Sequence, residues 1–125
     1  MTLVVVGVAG ALGAIARYVA TGWVQGVTGG FYPWGTFVVN VCGCLALGFA
    51  MSWLQTAVAS AELRQFVAIG FLGSFTTFST FSYEALAMLR DGEWWGAGTY
   101  IVGSVVLGVL AALLGMGVAQ ALPGR

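Results

Sequence analysis

Lysine and histidine are absent from this chain. Its cations are Arg17, Arg64, Arg90 and Arg125, its anions four carboxylates, and charged residues make up 6% of the 125. A soluble domain carries about 25% charged residues, so a water-facing surface cannot be assembled here and the bilayer is the solvent that fits. The lack of histidine removes the commonest metal ligand and the usual general base. No paired carboxylates and no base-activated nucleophile occur together, which argues against an enzyme. Net charge is zero, so neither a nucleic-acid surface nor a polybasic lipid patch is expected. Cysteine is limited to Cys42 and Cys44. Two apart on a helix, they point to different sides and read as small packing residues rather than a disulfide or metal ligands. Met1-Thr2-Leu3 lacks the basic stretch of a cleavable signal peptide, so the first helix is expected to be retained.

What is abundant is apolar: 60% of the chain. Segments at 3–24, 34–54, 63–89 and 94–120 each supply the roughly 20 residues needed to cross a hydrocarbon core about 30 Å thick. Trp23, Trp34, Trp53 and Trp94-Trp95 stand at their edges, as interfacial aromatics do. The expected fold class is all-α, a polytopic membrane protein whose residues 1–125 form a single four-helix domain. The connections are too short to fold independently. Small residues repeat at four-residue spacing: Ala9 and Gly13, Gly10 and Ala14, Cys44 and Gly48, and Ser104, Gly108 and Ala112. Such rows let helices approach closely in lipid, which leaves little room for a pore inside one subunit and favours an oligomer. Arginines divide two against two between the membrane sides. A weak orientation signal and insertion in both directions fit that tie equally.

Polar groups inside spans are costly. Arg17, Asn40, Glu84 and Tyr100 all fall near the same ends of their spans, in one layer roughly 10 Å below that face at about 1.5 Å per residue. Two readings fit: a structural layer in which Arg17 snorkels or pairs with Glu84 and Asn40 bonds between helices, or the floor of a polar vestibule where an ion sheds water. The third span is the most informative. Six of the nine residues from Ser74 to Ser82 carry hydroxyls, preceded by Gly70 and Gly73. Ser, Thr and Gly are poor helix formers, so a break at mid-membrane is expected, tolerated only inside protein or beside a water-filled path. Freed carbonyls at such breaks face cations. Phe78 and Phe81 share a helical face, and the positive edge of an aromatic ring can face an anion.

At these residues the chain resembles the fluoride ion channel family (Fluc, also called CrcB). The matching pieces are Gly13 to Tyr18, Gly35 to Gly43 and, most specifically, Gly70-Phe71-Leu72-Gly73-Ser74-Phe75-Thr76-Thr77-Phe78-Ser79-Thr80-Phe81-Ser82. The resemblance implies an antiparallel, dual-topology homodimer with two pores, embedded in the lipid of a cell inner membrane or plasma membrane and exporting fluoride passively. It implies that Phe78 and Phe81 line the pore as an aromatic box, that Asn40 is the pore asparagine, and that Arg17 stands at the aqueous vestibule. Ser79 and Thr80 would offer hydroxyls between the box rings, and Tyr100 and Ser104 would form a polar track on the fourth span. Gly73 and Thr76 would hold a central structural sodium ion through backbone carbonyls at the break. Two positions depart from the pattern: Ser74 replaces a usual second glycine, and Gly108 stands where some members carry another hydroxyl. A small dual-topology multidrug exporter is a poorer fit, since the first span carries Arg17 and no proton-binding carboxylate. A non-transporting assembly subunit would leave the broken-helix motif without purpose.

Overall fold

The computed structural model describes residues 2–56 and 59–122. Arg125, counted in the charge balance above, lies outside the described residues. Four spans are long and apolar enough to cross a membrane, so the chain is a multi-pass helical membrane protein. Helix α1 (Thr2–Thr28) forms the first and α2 (Trp34–Thr56) the second. The third is composite: α3 (Ala61–Arg64), a π-helical stretch (Gln65–Leu72), α4 (Gly73–Phe75), two extended residues, and α5 (Phe78–Arg90). Helix α6 (Trp94–Ala121) is the fourth.

The first span runs a turn further than its apolar stretch. Gln25 explains this. Its side chain donates to the carbonyls of Gly30 (3.1 Å) and Tyr32 (3.2 Å) and accepts from the Gly35 amide (3.2 Å), so it organises the connection instead of beginning it. The helix stops where Gly29 and Gly30 take positive φ, 64° and 74°, a conformation that other residues adopt at a cost.

Small residues set the packing. An added Cβ at Gly13 would strike the Phe71 carbonyl, at Gly48 the Ala112 carbonyl, and at Gly115 the Leu45 carbonyl. Backbones therefore touch, as small-residue rows permit in lipid. The contacts from Phe37 to Gly103, Cys44 to Gly108 and Gly48 to Ala112 follow the same order along α2 and α6, so these helices lie parallel. Alternate spans of a four-span chain must run so. One core cluster gathers Phe81, Ala85, Met88, Ala97 and Tyr100; a second, toward the opposite face, holds Ala50, Leu54 and Leu72.

The break expected in the third span is present. Thr76 (φ −83°, ψ 158°) and Thr77 (φ −149°, ψ 116°) are extended between two helical segments. Gly73, expected at the break, is helical (φ −63°, ψ −30°) and stands three residues before it. Thr77 restarts the helix as its N-cap: Oγ1 accepts from the Thr80 amide at 3.3 Å. Thr77→Val removes that acceptor and should lower stability by about 1 kcal/mol, read as a lower thermal unfolding temperature in detergent, while Thr77→Ser retains most of it. The π-helical stretch has no counterpart in the sequence pattern, because an apolar run without polar alternation carries no period to read.

Candidate functional site

The break is held open by a side chain from another span. Asn40 Oδ1 accepts from the Thr77 amide at 2.8 Å, and its Nδ2 donates to the Thr77 carbonyl at 3.0 Å. One amide thus pairs both polar groups of one unwound residue, which answers the cost of leaving them unpaired in lipid. The pairing has a second effect. In a continuous helix the Thr77 N–H would go to the Gly73 carbonyl; here it goes to Asn40. Likewise the Thr80 N–H goes to the Thr77 hydroxyl rather than to the Thr76 carbonyl. Both carbonyls lose their helical donors. The Ser74 carbonyl is taken by Arg17, whose Nε donates at 3.1 Å.

Arg17 therefore binds the break and not Glu84. The carboxylate has other partners: Thr36 Oγ1 donates to Oε1 at 2.9 Å and Tyr100 OH to Oε2 at 2.7 Å. Thr36 and Tyr100 are both essentially inaccessible. Tyr100, expected on a polar track with Ser104, is instead enclosed beneath Phe81, ring centroids 5.1 Å apart, with its hydroxyl turned to Glu84. A hydrogen bond to a charged group contributes about 2 kcal/mol, so Tyr100→Phe should destabilise the protein by that order. Thermal unfolding in detergent, with Tyr32→Phe as a control, measures it.

Two cavities meet at Thr77. One, of about 230 Å³, is bordered by Asn40, Thr76, Thr77, Phe78, Phe81 and Ser104, with Cys44 among its remaining walls. Phe78 and Phe81 lie 5.7 Å apart, centroid to centroid. Phe78 is 79% exposed and Phe81 only 9%. Ser104 Oγ is buried and has no hydrogen-bond partner among the described residues. The other cavity, of about 630 Å³, brings Arg17 together with Thr21, Thr36, Thr77 and Thr80. Thr80, expected between the box rings, thus faces the arginine, and Ser79 is exposed with its Oγ 3.5 Å from Thr77 Oγ1. A third cavity, of about 370 Å³, shares Thr21 and Thr36 with the second and reaches Glu84 and Asp91. Thr36 and Thr77 join these spaces and were not singled out by sequence reasoning. The available signal was position: Thr36 stands one helical turn before Asn40, and Thr77 is the residue that must cap the helix after the break.

Among the described residues no three His, Cys, Asp or Glu side chains cluster to hold a metal ion, and Cys42 and Cys44 are free thiols. The candidate ligands for a cation are backbone carbonyls. The site as a whole combines one arginine, hydroxyls, an amide and aromatic rings around an unwound helix, with both helix ends facing it.

The model of the CrcB-like family, described as camphor resistance proteins, matches residues 4–116. The chain belongs to the CrcB-like family. Individual relatives extend the match across nearly the full length. A protein of Nitratidesulfovibrio vulgaris is 43% identical over 116 residues, covering 92% of this chain and 94% of that one. One from Geobacter sulfurreducens is 43% identical over 122 residues (97% and 98%), and one from Thermus thermophilus 44% over 119 residues (95% and 94%). Each of these relatives is named fluoride-specific ion channel FluC. The break, Arg17 and the Asn40–Thr77 pairing all lie inside the matched stretch of this CrcB-like chain.

Proposed function

We propose that the chain is a subunit of a fluoride channel, a transport protein and not an enzyme, passing fluoride down its gradient across a cell inner or plasma membrane. The single observation that carries this reading is the cavity around Asn40, Phe78, Phe81 and Ser104 beside the break, in a chain whose relatives carry the name of that channel. Fluoride is small and strongly hydrated, so a path for it must offer close donors where water is lost. Arg17 and Thr80 border the wider cavity, where a hydrated anion is drawn in by charge. Past Thr77 the ion meets the Ser104 hydroxyl and the edges of Phe78 and Phe81, whose positive rims face an anion. Helix α5 begins at this level, and its N-terminal end favours negative charge.

The partner is a second copy of the chain, inserted in the opposite direction, giving two paths per dimer. Phe78 stands 79% exposed beside the break, so a further wall is needed to enclose a path along it. The even division of arginines opposes neither insertion. The cofactor is a structural sodium ion. Gly73 and Thr76 supply carbonyls freed of their helical donors, oxygen ligands of the kind that coordinate sodium at broken helices. Bound by those carbonyls, the ion would supply fixed positive charge, which would offset the field of a passing anion. Ser79 and Tyr100 serve this path from its margin: Ser79 through Thr77, Tyr100 by seating Phe81 and Glu84.

The decisive experiment is efflux from liposomes holding the purified protein, read with fluoride and chloride electrodes. Rapid fluoride loss with chloride retained, and no dependence on a proton gradient, is the expected result. Folded protein that releases neither ion, or both equally, would remove the function and leave the fold.

A further inference from the structure

We propose that the Cys44 thiol is part of the ion path, giving it a polar contact at mid-membrane depth where the fourth span has no side chain. This rests on the conduction proposed above. Cys44 lies ten residues into α2 and Ser104 ten into α6, roughly 15 Å from that face at about 1.5 Å per residue, or half the hydrocarbon core. Both border the cavity that Asn40, Phe78 and Phe81 line. The Asn40 amide is already committed at both ends to Thr77. Ser104 Oγ is buried and, among the described residues, unpartnered, a polar group on the wall of the cavity. One turn on, Gly108 offers no side chain, and Cys44 Sγ is the atom that stands over it, 3.4 Å from where a Cβ would be. A turn further the seam shuts, since Gly48 lies against the Ala112 carbonyl. Ser104 and Cys44 are therefore the two donors left on the α2–α6 side of this cavity, and the thiol is the last before closure. An S–H is a weak donor, but at this depth an anion has no water to replace it.

Packing alone would make alanine and serine equivalent at position 44, because both fit the space of a cysteine. Contact with the ion separates them. Fluoride efflux from liposomes is expected to fall about tenfold in Cys44→Ala, the scale of one hydrogen bond to an ion, and to stay near wild type in Cys44→Ser. Gly108→Ser added to Cys44→Ala should restore flux, since a Cβ at 108 meets only ordinary contact. Cys42→Ala, at an exposed position, should change nothing. Equal flux in Cys44→Ala and wild type, or an equal fall in the alanine and serine variants, overturns the assignment while leaving the channel intact. Absence of flux in the wild-type protein overturns the channel itself and this inference with it. Should Cys44→Ala fail to elute as a single species, Cys44→Ser against Cys44→Val gives the same polar-to-apolar contrast.

Discussion

Asn40→Asp is expected to lower fluoride efflux by about a hundredfold or more, with the protein still folded. Two effects act together. The amide that donates to the Thr77 carbonyl at 3.0 Å becomes a carboxylate oxygen facing another oxygen, so one hydrogen bond is lost and a repulsion gained. That loss alone costs about 1–3 kcal/mol. Charge has the greater effect. A carboxylate roughly 5 Å from a passing anion opposes it by about 3 kcal/mol at an effective dielectric near 20, and each 1.4 kcal/mol or so is tenfold in rate. Electrostatics therefore decides the outcome, and the variant should retain its elution volume while losing flux. Fluoride-electrode efflux from liposomes, normalised to reconstituted protein, measures it. Flux near that of wild type would place the path away from Asn40.

Gly48→Ala should destabilise the bundle by about 3 kcal/mol, at the upper end for overpacking, and Gly48→Val should abolish recovery of folded protein. A Cβ at this position falls on the Ala112 carbonyl. The neighbour is backbone, which no rotamer change can move, so α2 and α6 would have to separate along their length. Gly117→Ala provides the contrast. Nothing lies within 4 Å of its would-be Cβ, and replacing a helical glycine by alanine gains about 0.5–1 kcal/mol. Thermal unfolding in detergent should therefore move in opposite directions for two Gly-to-Ala changes in one protein. A shift of the same sign and size in both would mean that the close approach of α2 and α6 contributes little to stability.

The number of spans was legible because hydrophobicity over twenty residues is a strong signal. The break was legible because Ser, Thr and Gly crowd its neighbourhood. Its location was less so: the resemblance implied Gly73 and Thr76, whereas Thr76 and Thr77 unwind and Gly73 stays helical. The choice is made by Asn40, a residue 37 positions away, and local propensity has no access to it. The same limit applies to Arg17. Depth placed it in one layer with Glu84, and opposite charge made a pair plausible, but the Ser74 carbonyl freed by the break is the partner it finds. Glu84 then depends on Thr36, whose role shows only once α2 and α5 are seen to face each other. Side chains on a common helical face, such as Phe78 and Phe81, followed from spacing. Tyr100 did not, because spacing gives the depth of a residue and leaves open which way it turns.

Several backbone contacts through glycine join alternate spans, Gly13 of the first with Phe71 of the third and Gly48 and Gly115 between the second and fourth, whereas Gly35 of the second meets the Thr21 carbonyl of its neighbour, the first. A ribosome delivers spans in order, so neither alternate-span fit is available when its first member enters the bilayer. The second helix must wait through the whole synthesis of the third before its parallel neighbour emerges. Until then Gly48 has no backbone set against it. The α2–α6 seam is thus the last close packing to form, and truncation before α6 should leave three inserted spans with the first and third in contact and the second lacking its parallel neighbour.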